Sequence, residues 1–315
     1  MGVAGLAAFL LVWHLGRPYL WQDEAATAVL SKRMLTFGRP LAYDGLNLIT
    51  IDHFAAADAA SLDQRTRDPH RAVEFYVRRG DYKPDTTWKW QPWGQFVLAS
   101  LSFKLLGATT LAARLPFALL GIATVVLVYW FAWEFFQSWP TAFLASIFLA
   151  LNGYWILHAR QCRYYSPSSF FLTLTIAGYA RWQSGRRWGI AAFLLAAWCW
   201  FQVDYGTIWP VLGVLFADAL IAQRRRLWRP VIVGIVLAVT IAPFAYYYEL
   251  WGRLAMPIAS WQDRLVRNVF NVNQFIVPLL ILAGATAVVV YRWKILASLE
   301  RRLITIMCAI LSPAG

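Results

Sequence analysis

Residues 111–133 read LAARLPFALLGIATVVLVYWFAW, an apolar run in which Arg114 is the single charged side chain. A helix that crosses a bilayer needs roughly 20 such residues, so this run predicts a transmembrane helix. Similar runs occur at 3–20, 139–157, 168–182, 188–204, 206–222, 231–250 and 274–291, and a last one starts at Leu303. The pattern predicts an all-α, polytopic integral membrane protein with about nine transmembrane helices.

The composition of the whole chain supports this prediction. Of its 315 residues, 60% are hydrophobic and only 14% are charged, whereas soluble domains carry roughly 25% charged residues. The chain also has 18 Trp and 14 Tyr, residue types that collect at membrane interfaces. These values exclude an ordinary soluble domain and a disordered chain.

Positive charge is concentrated between the apolar runs. Lys and Arg number 29 against 16 acidic residues, a net charge of +13, and they cluster at 183–187, 223–229 and 292–302. Short basic loops usually face the cytoplasm, so the segments near Asp23, 158–167 and Asp204 are expected on the extracytoplasmic side. We therefore predict a multi-pass protein of the plasma membrane, the inner membrane in a bacterium, with membrane lipids and no nucleic acid as partners.

We expect residues 1–315 to form a single transmembrane domain, and we expect that domain to be incomplete. Residues 17–92 form its longest hydrophilic stretch and are predicted to be an extracytoplasmic first loop. Residues 93–107 are apolar but short and contain Lys104, so we expect an interfacial or re-entrant helix there.

The acidic pair Asp23 and Glu24 follows the first apolar run directly. A carboxylate at the depth of the membrane interface is costly unless it is used or paired. The pair is therefore a candidate catalytic site. An alternative is that Asp23 only caps the N-terminus of a helix over 25–35.

The segment 158–167 carries Arg160, Arg163, Tyr164 and Tyr165, on the side predicted for Asp23. Guanidinium groups offer paired donors to phosphate oxygens, so Arg160, Arg163 and Tyr164 are candidates for binding a lipid phosphate. The alternative is an interfacial aromatic anchor with arginines that extend toward water.

Lys89, Trp90 and Gln91 form a third candidate group at the end of the long loop. An aromatic face can stack on a sugar ring, and Lys89 can reach a phosphate. Trp90 and Gln91, with Tyr165, are thus candidates for binding the sugar or acceptor. Trp90 could also be a simple interface anchor.

Metal ligands in the long loop are scattered and lack the spacing of a tight site. They are Asp52, His53, Asp58, Asp63 and His70. The sequence predicts no certain cofactor, and a loosely held divalent metal ion that helps a phosphate leave is the one cofactor left open.

Four segments carry a family resemblance: 21–38, which contains the acidic pair, Gln91-Pro92, Arg114-Leu115-Pro116 and 159–164. Together they resemble the GT-C type membrane glycosyltransferases that use polyprenyl-phosphate sugars, such as lipid A aminoarabinose transferases, protein O-mannosyltransferases and the bacterial proteins related to them. The resemblance extends from the first apolar run to about Pro210.

The resemblance implies a transferase that inverts a hexosyl or pentosyl group. Asp23 would be the general base and Glu24 would support it, while a polyprenyl phosphate would be the leaving group. The acceptor would be a glycolipid, a polysaccharide or a protein hydroxyl, and the active site would face the extracytoplasmic side.

Two other functions stay open from the sequence. A transporter or flippase for lipid-linked sugars would place charges near the membrane midplane and use broken helices in symmetric halves, whereas the acids of this chain gather at one interface. The chain could also be an inactive membrane fragment.

Overall fold

A computed structural model describes residues 2–49, 69–80 and 82–250, together with residues 301 and 305. Within these residues the protein is all-helical, apart from two isolated bridges that join Leu41 to Thr87 and Tyr43 to Leu48. The helices are α1 Gly2–Val12, α2 Gln22–Phe37, α3 Pro69–Arg79, α4 Gly94–Leu106, α5 Thr110–Phe136, α6 Trp139–Leu151, α7 Gly153–Ala159, α8 Tyr165–Gln183, α9 Gly189–Phe201, α10 Ile208–Ala222 and α11 Trp228–Tyr247. The prediction of an all-α fold is confirmed for this part of the chain.

The predicted number of about nine membrane-crossing helices is not confirmed. By length and apolar composition, α5 and α11 can each cross a membrane, and α6 with α7 make a third crossing if the 66° bend between them is counted as one span. α1, α4, α9 and α10 are apolar but shorter. The predicted runs at 274–291 and from Leu303 lie outside the described residues.

The first apolar run, 3–20, is not one helix. α1 ends at Val12, and His14 adopts a left-handed backbone conformation with φ 54°. The carbonyls released by this early end accept hydrogen bonds from two distant arginines, Arg114 and Arg160. These contacts satisfy carbonyls that a continued helix would have bonded to its own N–H groups.

The run 139–157 is also divided, at Asn152. The Asn152 side chain accepts a hydrogen bond from the Trp155 backbone N–H at 2.8 Å, which caps the start of α7. Asparagine favours such N-cap positions, so the bend between α6 and α7 follows from a local sequence signal.

α8 and α9 pack as a close antiparallel hairpin because two glycines remove side chains from their interface. A Cβ atom on Gly178 would lie 2.6 Å from the Phe193 backbone nitrogen, and one on Gly189 would lie 2.2 Å from that of Trp182. The hairpin joins α10 and α11 in the largest apolar core, which contains the fully buried Trp200 and Leu215.

The described part of the long first loop has a small core of its own. Tyr76 and Tyr82 pack there against Leu30 of α2 and Phe96 of α4. Arg33 of α2 is buried and donates hydrogen bonds to Asp44 and to the carbonyls of Leu41, Ala42 and Asn47. The helix expected over 93–107 forms as α4, packed between α2 and α5, and its placement relative to a bilayer stays a prediction.

α5 links two polar clusters. Near its start Arg114 contacts Glu24, and near its end Glu134 contacts Arg181 and Arg186. Arg114 and Glu134 are twenty positions apart, which corresponds to about 30 Å along a helix, the thickness of a bilayer's hydrocarbon core. Residues adjacent to Glu134 in the sequence carry no positive charge, and the fold brings Arg181 and Arg186 to it instead.

Candidate functional site

The acidic pair lies in the first turn of α2, which begins at Gln22. The Trp21 backbone N–H donates to the Glu24 carboxylate at 3.4 Å, which is half of a capping box. Trp21 therefore occupies the cap position. The alternative in which Asp23 caps the helix is wrong, and the Asp23 side chain is left for other contacts.

Glu24 is completely buried in an ion pair with Arg114. The Arg114 Nε and Nη2 atoms donate to the two Glu24 oxygens at 2.8 and 2.6 Å. The Cys162 backbone N–H also donates to Glu24, at 2.8 Å. Burial and the charge of Glu24 raise the pKa of the Cys162 thiol, so this thiol stays protonated.

The remaining Arg114 donors bind the carbonyls of Leu15, Pro18 and Tyr19, at 2.9–3.1 Å. Arg114 therefore ties the segment after α1, the start of α2 and the start of α5 into one unit. The sequence pointed to Arg114 because it is the single charged residue in an apolar run, and a charge in such a run requires a partner.

Asp23 has a different partner from Glu24 and is one-third exposed. Its carboxylate contacts the Arg163 Nη2 atom at 3.3 Å. Arg163 is buried and also donates to the Thr27 hydroxyl at 3.4 Å, while its Nε atom has no hydrogen-bond partner among the described residues. The structure thus joins two predicted site residues, and the arginine keeps a free buried donor.

Arg160 has different contacts. Its guanidinium donates to the Leu10 carbonyl at 3.3 Å and to the Trp13 carbonyl at 2.6 Å, where it satisfies the end of α1. Its donors therefore bind the end of the first helix.

Tyr164 and Tyr165 extend the group around Arg163. The Arg163 guanidinium lies 5.4 Å from the Tyr164 ring centroid, and the Tyr164 and Tyr165 rings are 4.6 Å apart. Burial, followed by Tyr165 and the charge of Asp204, raises the pKa of Tyr164. Tyr164 is therefore a neutral hydrogen-bonding group at any physiological pH.

Asp204 is a further acid at this end of the helices, and it was not among the predicted site residues. It accepts hydrogen bonds from Ser168 at 3.1 Å and Thr207 at 2.6 Å. Ser168 in turn accepts from the Trp200 indole N–H at 2.8 Å. In the sequence, Asp204 could have been recognised by its position at a helix end on the predicted extracytoplasmic side.

Lys89, Trp90 and Gln91 lie next to this group, linked to it by Tyr205. The Tyr205 hydroxyl donates to the Trp90 carbonyl at 2.6 Å. The Lys89 ammonium lies 3.5 Å from Glu249 and 4.7 Å from the Tyr247 ring centroid, and the Gln91 side chain accepts from Gln95 at 3.0 Å.

The described residues contain no group of three His, Cys, Asp or Glu side chains that could hold a metal ion. Four of the residues considered as ligands, Asp52, His53, Asp58 and Asp63, lie outside the described part. His70 is described, and its ring contacts the Tyr43 hydroxyl at 3.1 Å. The divalent metal ion therefore stays a prediction.

Comparison with known proteins places the fold. Crystal structures of ArnT from Cupriavidus metallidurans are similar to this chain. The structure bound to undecaprenyl phosphate matches with a TM-score of 0.55 and 17% identity over 79% of this chain and 41% of ArnT. The structure in the apo state matches with a TM-score of 0.52 and 15% identity over 99% and 57%. The chain has an ArnT-like fold and spans about half the length of ArnT.

Sequence comparison reaches less far. An uncharacterized protein of Aquifex aeolicus (strain VF5) is 37% identical over 79 residues, which is 25% of this chain and 16% of that protein. No family model matches the chain.

Proposed function

We propose that this chain is the membrane part of a glycosyltransferase that moves a sugar from a polyprenyl-phosphate donor to a hydroxyl acceptor on the extracytoplasmic side. The observation that carries the proposal is the pair of Asp23 and Arg163 in an ArnT-like fold. ArnT has been crystallised bound to undecaprenyl phosphate, a lipid phosphate of the kind that such a donor would release.

The two neighbouring carboxylates are suited to different tasks. Both oxygens of Glu24 are bound by Arg114, so Glu24 supports the site by fixing the first turn of α2. Asp23 is partly exposed and has one ionic contact. A general base must reach the proton that it removes, and of the two acids Asp23 meets that requirement.

Arg163 is the side chain we assign to the donor phosphate. Its buried, unpartnered Nε offers a hydrogen bond that an incoming phosphate would satisfy. A phosphate bound there would also compete with Asp23 for the guanidinium and so release the carboxylate to act as base. Arg160 is left out of this role because its donors bind the carbonyls of α1.

In the proposed reaction the acceptor oxygen attacks the anomeric carbon while Asp23 takes its proton. The bond between that carbon and the phosphate oxygen breaks, and the polyprenyl phosphate leaves with the electron pair. Arg163 stabilises the developing charge, helped by the neutral hydroxyl of Tyr164. Lys89, Trp90, Gln91 and Tyr165 would bind the donor and acceptor around this centre.

The test compares Asp23→Asn with Asp85→Asn in membranes supplied with a panel of polyprenyl-phosphate-linked pentoses and hexoses. Removal of a general base typically costs about 10²–10⁴-fold in rate, so Asp23→Asn should lose transfer by that factor. Asp85 is an exposed acid paired with Arg39, and its variant should transfer normally. Unchanged transfer by Asp23→Asn would refute the assignment of the base.

Binding of undecaprenyl phosphate tests the role assigned to Arg163 separately from sugar transfer. Native mass spectrometry of the purified chain should show that Asp23→Asn still binds this lipid. Arg163→Gln should bind it at least about tenfold more weakly, because it loses a charge-assisted hydrogen bond. A transporter for lipid-linked sugars would instead release no glycosylated product from the wild type while binding the same lipid.

A further inference from the structure

A large cavity lies at the opposite end of the helices, between the loop that joins α8 to α9 and the loop that joins α10 to α11. Its volume is about 980 Å³, at the upper end of the range for ligand sites. Six arginines line it: Arg186, Arg187, Arg224, Arg225, Arg226 and Arg229. None of the described lining residues is acidic. Arg186 is paired with Glu134 at 3.2 Å, and the other five arginines have no ion pair among the described residues, so the cavity favours an anion.

The two loops fold so that their arginines converge. Gly185 turns the first loop with φ 73°, and Arg226 donates its backbone N–H to the Gln223 carbonyl at 2.7 Å in the second. The loops contact each other through the Gln223 and Gln183 side chains, 3.4 Å apart. The Gln183 Nε2 and Gln223 Oε1 atoms are buried and have no partner among the described residues.

The walls of the same cavity become apolar toward the helices. Leu194, Ile232 and Val236 line it below the arginines. A second cavity of about 690 Å³ between α10 and α11 has almost only apolar lining, and Trp182 and Val233 line both cavities. A small inorganic anion or a nucleotide would leave these apolar walls unused.

We propose that this pair of cavities binds an anionic phospholipid of the membrane, with its phosphate among the arginines and its acyl chains against the apolar walls. Basic pockets between transmembrane helices on the cytoplasmic side are suited to such head groups. The usual excess of positive charge in cytoplasmic loops accounts for the number of arginines. That excess does not explain why the arginines converge on one cavity whose walls become apolar between the helices.

Native mass spectrometry and thermal unfolding of the purified chain test this proposal with three probes: phosphatidylglycerol, phosphatidylcholine and inorganic phosphate. Phosphatidylglycerol should stay bound and raise the unfolding temperature, whereas the other two probes should do neither. Each arginine near a head group contributes about 1 kcal/mol, or about fivefold in affinity. The variant R224Q/R226Q should therefore bind phosphatidylglycerol about 25-fold more weakly.

Arg17→Gln provides a matched control, since Arg17 is exposed on the segment after α1 and does not line either cavity. It should bind phosphatidylglycerol as the wild type does. If the double variant unfolds without lipid, the single variant Arg225→Gln should still show the fivefold loss. Equal binding of both phospholipids, equal stabilisation by inorganic phosphate, or wild-type affinity in the arginine variants would each overturn the proposal.

The proposal is independent of sugar transfer. Undecaprenyl phosphate binding should depend on Arg163 and be insensitive to R224Q/R226Q, while phosphatidylglycerol binding should show the reverse. A common loss of both lipids in every variant would indicate unspecific attraction and would also overturn the proposal.

Discussion

At the scale of single residues, side chains that are neighbours in the sequence differ in burial and therefore in the function that they can have. Asp23 and Glu24 are neighbours in one helix turn, yet Glu24 is completely buried against Arg114 while Asp23 is partly exposed. Arg160 and Arg163 divide in the same way, one toward α1 and the other toward Asp23. The sequence predicts that these acids and arginines lie near one another. Which of them is buried and which is available depends on packing between distant segments, and residue spacing does not show it.

Replacement of Arg114 by lysine should destabilise the protein strongly, because one ammonium group cannot supply donors to Glu24 and three carbonyls at once. Removing one partner of a buried pair typically costs about 3–5 kcal/mol, and lysine, which keeps the charge but loses most of these donors, should cost part of that. We expect a lower unfolding temperature for Arg114→Lys in detergent. Arg39→Lys, in an exposed pair with Asp85, should change stability by less than about 1 kcal/mol. Similar unfolding temperatures for the two variants would contradict a central role for Arg114.

At the scale of elements, hydropathy predicts where helices form better than where they end. The apolar run at 111–133 is a helix throughout, as predicted, since α5 covers Thr110–Phe136. The run at 3–20 is helical only to Val12, and arginines from elsewhere in the chain bind carbonyls beyond that point, contacts that composition does not record. The break at Asn152 was predictable in principle from a capping residue, although the surrounding hydrophobicity hides it.

The α8–α9 hairpin should tolerate no side chain at Gly178. An added Cβ would lie 2.6 Å from the Phe193 backbone nitrogen, so the helices must separate to admit it. Gly178→Ala should therefore lower the unfolding temperature. Gly213→Ala is the control, because its Cβ would meet no atom within 4 Å and alanine favours a helix by about 1 kcal/mol over glycine. A stabilising effect of Gly178→Ala would contradict the close packing.

The turn at 41–47 should loosen at low pH. Burial alone would raise the pKa of Asp44, but backbone N–H groups of Asn47 and Leu46 and the buried Arg33 lower it overall from its ordinary value of 3.8. A lowered pKa means that the fold favours the charged carboxylate. Its contribution to stability is complete above pH 3.8 and is lost as the pH falls through the lower value.

Limited proteolysis with an acid-stable protease checks this pH dependence. Cleavage near 41–47 should increase below pH 3.8 in the wild type. Asp44→Asn should be cleaved readily at neutral pH as well, since it lacks the carboxylate throughout. Cleavage that does not depend on pH in the wild type would show that Asp44 does not hold the turn.

At the scale of the whole molecule, two polar ends are separated by a helix of bilayer length. One end holds Asp23, Arg163 and Asp204, and the other holds Glu134 with the basic loops at 183–187 and 223–229. The sequence predicted this division from its charge distribution, and the shared fold with ArnT supports a membrane protein. The number of membrane crossings was less predictable. α1 and α4 are apolar but short, so composition does not decide whether they cross the membrane.

Sidedness in the membrane tests this arrangement directly. Single cysteines at Tyr19 and Leu46, which are 95% and 77% exposed, would report the end that holds Asp23, and one at the exposed Ser184 would report the basic end. The native cysteines are first replaced, and intact cells are labelled with an impermeant thiol reagent. Because α5 places about 30 Å between the two ends, Tyr19 and Leu46 should label while Ser184 labels only after lysis. Labelling of all three positions in intact cells would mean that α5 does not cross the bilayer. Labelling of Ser184 alone would place the Asp23 end in the cytoplasm, where the proposed extracytoplasmic transfer could not occur.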